Sequence, residues 1–205
     1  RIDKCSTVIT FGNFGGIHLG HVNLIKLVII KAKEYKAKSL LITFNPHTQC
    51  IIQDKKNHFL TSHNMKLNLL KKNKLDYIVT LDFNKKFSKI CPSDFIEILI
   101  SKYNPKLIIL GYDNKFGYKG EGDYEFLCTY LKGRDIDVIK YKPCTRFGRV
   151  IKSSIIKQMI LSGDIKNANK YLGRYYELEG TIIEGNKQGK KIGYPTANID
   201  LNGKQ

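Results

Sequence analysis

Tryptophan is absent from the 205 residues, arginine is scarce, and apolar runs are short. Of the 35 basic residues only five are arginine (Arg1, Arg134, Arg146, Arg149, Arg174), so lysine carries the formal net charge of +17. Surfaces that read bases favour the planar guanidinium fork, and the lysines here are scattered rather than clustered. Such charge is expected to be a solvated surface that attracts anionic ligands, with no nucleic acid as partner. The richest apolar stretch, residues 24–30, is broken by Lys26. It falls far short of the ~18 apolar residues of a spanning helix, so no membrane partner is expected. Residues 1–10 lack the layout of a secretory leader. Five cysteines, with no C-x-x-C pair, supply neither a disulfide framework nor a zinc site, and a cytoplasmic setting fits them. With 42% hydrophobic and 26% charged residues, the chain can bury a globular core. Nothing in it sets an oligomeric state.

Short apolar, β-branched runs at 7–11, 40–44, 77–81, 107–110 and 138–141 read as buried strands. Between them, residues 21–35, 63–72, 93–102 and 124–132 carry apolar side chains at helical spacing. Thr61 or Ser62 is placed to cap the second of these helices, and Pro92 with Ser93 opens the third. Strand–helix repetition predicts an α/β fold with parallel strands and right-handed crossovers. Ligands in such sheets sit beyond the carboxyl ends of the strands, here the loops after Phe11, Phe44 and Leu110. Helical stretches at 154–161 and 165–172 follow, and near residue 176 the pattern changes. Residues 178–184 read as a strand, 185–191 as a Gly/Lys-rich turn, and 193–198 continue a β-rich segment. The expected division is 1–175 and 176–205, the second part having about thirty residues, too few to close a barrel.

The strongest local feature is Gly12-Asn13-Phe14-Gly15-Gly16-Ile17-His18-Leu19-Gly20-His21, directly after the first strand and opening the first helix. Its glycines permit a tight turn and close backbone approach to a ligand. The helix start adds free N–H groups and the positive end of a dipole, which together attract an anion. His18 and His21, three apart, fall on one face and would donate to a phosphate whose charge grows during transfer. A metal held by this histidine pair lacks an evident third ligand. Thr43-Phe44-Asn45-Pro46-His47, stiffened by proline, is placed to hold an acceptor. Residues 111–117, including Asp113 and Phe116, begin a Gly-rich loop able to close over a substrate. Ser153, Ser154 and Lys157 put two hydroxyls and a cation at a helix start, suited to phosphate oxygens, although Ser153 as an ordinary cap explains the pattern too.

The H-x-G-H arrangement at 18–21 resembles the nucleotidyltransferase superfamily. With Thr43–His47 and Gly193-Tyr194-Pro195-Thr196-Ala197-Asn198, the chain resembles the prokaryotic bifunctional riboflavin kinase/FAD synthetase family from residue 7 to residue 201. The resemblance implies a Rossmann-like nucleotidyltransferase sheet over 1–175, followed by the opening of a riboflavin kinase β-barrel. It implies transfer of AMP from ATP to FMN with release of pyrophosphate, with Mg²⁺ accompanying ATP and no protein metal ligand in that site. Catalysis would fall to His18 and His21, and ATP binding to Gly12, Asn13, Phe14, Gly20, Ser153, Ser154 and Lys157. Flavin binding would fall to Asn45, Pro46, His47, Asp113 and Phe116. Thr196 and Asn198 would belong to the kinase Mg–ATP motif, and riboflavin would be phosphorylated only where a complete C-terminal domain follows. The chain departs from the family pattern at Gly15 (usually Asp), Asn114 (an aromatic), Lys152 (Ser) and Lys157 (Arg). The alternatives are another small-molecule nucleotidyltransferase, or a degenerate nucleotide- or nucleic-acid-binding remnant.

Overall fold

The computed structural model describes residues 5–52, 60–186, 188–194 and 196–200. Five segments form parallel strands: β1 (Thr7–Phe11), β2 (Lys38–Asn45), β3 (Tyr77–Asp82), β4 (Pro105–Gly111) and β5 (Asp137–Tyr141). They lie in the order β3-β2-β1-β4-β5, so the strand order reverses between β1 and β4. That reversal opens a crevice at the carboxyl ends of the two central strands, the place where such sheets receive ligands.

Period-two alternation in β1 sends Ile9 and Phe11 to one face and Val8 to the other. The Val8 face is covered by α1 (Leu19–Glu34) through Ile25, Val28 and Ala32 and, beyond the short helix α2 (Thr48–Ile52), by α3 (His63–Lys71) through Met65, Leu69 and Leu70. The opposite face is covered by α4 (Pro92–Tyr103) through Phe95, Ile96 and Leu99 and by α5 (Tyr124–Tyr130) through Leu127. Each fully buried Ile, Leu or Val in these layers contributes about 1.5–3 kcal/mol of transfer free energy. That drive fixes β1 in the centre, with every one of its residues buried.

Of the two expected caps for α3, Ser62 takes the role, accepting from the Met65 amide at 3.1 Å. Helix α5 stops at Tyr130, two residues before the expected end, where Leu131 leaves the helix. A two-strand hairpin, β6 (Thr145–Arg146) and β7 (Arg149–Val150), turns through Phe147 and Gly148, both with positive φ. It leads into α6 (Ser153–Leu161) and α7 (Ile165–Leu172), which close a third core cluster of Leu60, Ile151, Ile156, Ala168, Tyr171 and Leu172.

After α7 the chain carries β8 (Thr181–Ile183), the short helix α8 (Gln188–Lys191) and β9 (Asn198–Asp200), with β8 antiparallel to β9. The strand expected over 178–184 is therefore shorter, a helix replaces part of the expected turn, and the second strand begins only at Asn198. Ile182, Ile183 and Ile199 are exposed on this hairpin, so no buried face holds longer strands in place. Among the described residues no helix is long and apolar enough to cross a membrane.

Candidate active site at the carboxyl end of the sheet

The loop from Gly12 to His18 is held from several sides. The Gly12 amide donates to Ile42 O at 3.0 Å, extending β1 by one bond. Asn13 exchanges two side-chain hydrogen bonds with Thr48, and its carbonyl accepts from Thr43 Oγ1 at 3.2 Å. Gly16 donates to Thr61 Oγ1 and accepts from Arg174 Nη2, while Gly15 O accepts from Ser153 Oγ at 2.7 Å. These ties hold Phe14 (φ 50°) and Ile17 (φ 37°) in the left-handed region, at a cost of about 1–2 kcal/mol per residue. At Gly16 (φ 84°) a Cβ would sit 2.6 Å from Leu60 Cδ1, so only glycine fits.

Ser153, expected on phosphate with helix capping as the alternative explanation, is not the cap of α6. Lys152 is the N-cap and makes no capping bond, whereas the Ser153 hydroxyl reaches across to the glycine loop. Ser154 and Lys157 line the same cavity as the loop.

His18 is itself the N-cap of α1, its Nδ1 accepting from the His21 amide at 3.4 Å. In the neutral ring that bond leaves the proton on Nε2, a donor. The two imidazoles stack with centroids 3.7 Å apart and planes 12° from parallel. Burial lowers the His18 pKa from 6.5 to about 4, partly opposed by the backbone hydrogen bond and by Asp113. Burial and then the neighbouring His18 hold His21 well below 6.5 as well. Both rings are therefore neutral near pH 7. His21 Nδ1 is buried without a hydrogen-bond partner.

Two cavities meet at this loop. A polar one of about 710 Å³ is lined by Gly12, Asn13, Phe14, His18, Gly20, His21, Ser153, Ser154 and Lys157, so the expected nucleotide set converges. His47 and Asp113, expected on the flavin, line this polar cavity instead. Burial, then Lys66, brings the His47 pKa to about 4. An apolar cavity of about 530 Å³ is lined by Phe11, Phe44, Phe83, Phe87, Ile90 and Phe116 among others, so of the residues expected on the flavin Phe116 lines this one. Asn45 and Pro46 line neither cavity, and neither do Thr196 and Asn198. Phe11, Gly12, Asn13 and Asn114 line both, Asn114 donating to Phe11 O at 2.6 Å.

Sequence reasoning missed Lys142 in the polar lining, and Phe83 and Phe87 in the apolar one. Phe83 and Phe87 sit in and beside a loop after β3, where no motif marks them. Among the described residues no three His, Cys, Asp or Glu side chains cluster as a metal site. The polar lining contains one carboxylate, Asp113. With a single carboxylate in the lining, a divalent cation would fit this site only as a companion of nucleotide phosphates.

Comparison with known proteins agrees with this geometry. The FAD synthetase family matches residues 1–155, and the riboflavin kinase family matches residues 172–205. Proteins named bifunctional riboflavin kinase/FMN adenylyltransferase are similar over nearly the whole chain. The protein from Buchnera aphidicola subsp. Schizaphis graminum is 35% identical, covering 96% of this chain and 64% of that protein. The protein from Listeria monocytogenes is 32% identical, covering 95% and 62%. The chain thus spans less than two thirds of the length of these relatives. A crystal structure titled macrolide-efflux protein, from Streptococcus pneumoniae, superposes with a TM-score of 0.83 at 30% identity, over 96% of this chain and 64% of that one. The five-stranded parallel sheet of this chain has the Rossmann-like nucleotidyltransferase fold expected above. With three quarters of its length matched by that family, the chain belongs to the FAD synthetases.

Proposed function

We propose that this chain transfers AMP from ATP to FMN, releasing pyrophosphate, through residues 1–175, and that 176–205 open a riboflavin kinase domain. The observation that carries the reading is the meeting of a polar and an aromatic cavity at one strand end. The isoalloxazine ring suits the cavity of Phe44, Phe83, Phe87 and Phe116, where aromatic packing and burial favour a flat apolar ligand. The triphosphate suits the start of α1 and of α6, beside Ser154 and Lys157. The shared residues Gly12, Asn13 and Asn114 would then lie where the two phosphates approach.

An FMN phosphate oxygen attacks the α-phosphorus, a new P–O bond forms, and the bond to the β-phosphate breaks with its electron pair leaving on pyrophosphate. The phosphate dianion is already a nucleophile, so no general base is needed. His18 donates from Nε2 as a neutral ring and keeps its proton throughout, and His21 stacks behind it. Fixed neutral donors at a helix start stabilise growing charge without reorganising, a contribution of about 10²–10³ in rate per donor. Lys157 neutralises phosphate charge as a point cation, without the two-point grip of arginine. Mg²⁺ bound with ATP would supply further charge neutralisation, with Asp113 the one carboxylate of the polar lining.

An acceptor panel tests the reading. With ATP and Mg²⁺ the chain is expected to yield FAD from FMN, and no adenylated product from pantetheine phosphate or nicotinate mononucleotide. Adenylation of either of those with FMN untouched refutes the assignment.

A further inference from the structure

Lys66 lies on the buried side of α3 and is 5% exposed, unusual for a lysine. Its Nζ donates to Thr43 Oγ1 at 2.9 Å, Phe44 O at 2.9 Å and Asn13 O at 3.3 Å. An ammonium has three N–H bonds, and here each has an oxygen. The acceptors belong to the two segments that frame the junction of the cavities, the glycine loop and the end of β2. Asn13 and Phe44 themselves line the aromatic cavity. All three acceptors are uncharged, so the buried ammonium keeps its positive charge beneath the loop. That charge is felt by His47, across the β2 end, and by His63 on its own helix.

Resting on the proposed transfer, we propose that Lys66 is a positioning residue. Its ammonium locks the Asn13 carbonyl and the β2 end into one geometry, and that geometry sets the junction where the FMN phosphate meets the nucleotide. The lock also supplies a cation behind a cavity meant for polyphosphate. A neutral amine makes fewer and weaker donations, so the lock loosens when Lys66 loses its proton. Burial brings that pKa from 10.5 down to about 8. Thr43 adds to the same lock by donating to Asn13 O.

The test compares wild type, Lys66→Met and Lys66→Arg. It measures inorganic pyrophosphate binding by calorimetry and kcat and KM for FAD formation between pH 7 and 9.5. The wild type should lose about tenfold in pyrophosphate affinity across that range, following loss of a charge-assisted bond. Pyrophosphate's own ionisation is common to all three, so Lys66→Arg, which stays charged, should lack the tenfold loss that the wild type shows beyond it. Lys66→Met should lack it too, at a weakened level, with kcat lowered more than KM at pH 7. Variants whose profiles track the wild type at every pH overturn the proposal, and the arginine variant carries the test if the methionine variant fails to fold. A wild type that shows the pyrophosphate profile but forms no FAD removes the proposed activity and leaves the lock standing.

Discussion

Acid should weaken the fold through His18, and the size of the effect follows from its burial. In the unfolded chain His18 titrates at 6.5, whereas in the folded protein burial holds it at about 4. Between those values the unfolded chain binds a proton that the native protein does not. Stability is therefore present in full above pH 6.5 and is lost as pH falls toward 4. At up to about 1.4 kcal/mol per pH unit, with titration incomplete at either end, this one residue removes about 2 kcal/mol between pH 6.5 and 4.5. His18→Asn is the informative comparison, because asparagine caps a helix well and does not titrate. Its side-chain oxygen replaces Nδ1 as the acceptor for the His21 amide. Urea unfolding of both proteins at half-unit steps from pH 7 to 4.5 gives the difference directly. The wild type should lose about 2 kcal/mol more than the variant across that range. Parallel stability curves would refute the assignment of a buried, neutral His18.

Two substitutions separate architecture from ligand recognition. Gly173 ends α7 with φ 74°, and a Cβ there would lie 2.3 Å from Leu19 Cδ2, at the first residue of α1. Gly173→Ala is expected to cost about 2 kcal/mol and lower Tm by about 5 °C, read by differential scanning calorimetry. Phe87→Ala, in the aromatic cavity, should raise KM for FMN about tenfold while KM for ATP stays within a factor of two, read by steady-state kinetics.

The sheet was legible because its three inner strands β1, β2 and β4 are largely buried and so read as unbroken apolar, β-branched runs. Residues 7–11 match β1 end to end. The glycine loop was legible because its chemistry is contiguous in sequence. What escaped depends on contacts between distant segments. Lys66 occupies the apolar stripe of α3, between Met65 and Leu69, and a lysine in that place was the available signal. Its acceptors lie 22 to 53 residues away in sequence, so no local pattern reveals them. Helix α2 spans five residues, too short for a period to show. The β6–β7 hairpin turns on Phe147-Gly148, a pair outside the Asn-Gly and Asp-Gly signals that mark such turns. Ser153 reads as a cap from its position alone, yet its hydroxyl is taken by Gly15, 138 residues away. Phe83 and Phe87 of the apolar lining escaped the sequence reading for the same reason. Aromatic residues near a strand end look like core until the cavity beside them is seen.

The central claim is that the adenylyl group, not the terminal phosphate, moves to FMN at the junction of the two cavities. Parallel reactions of the chain with FMN and Mg²⁺, one with ATP labelled at the α-phosphate and one at the γ-phosphate, followed by separation of flavins from pyrophosphate, measure this directly. The account predicts α-label in FAD and γ-label in pyrophosphate, in equal amounts. Label from the γ-phosphate on the flavin, or α-label confined to ATP and its hydrolysis products, would contradict it.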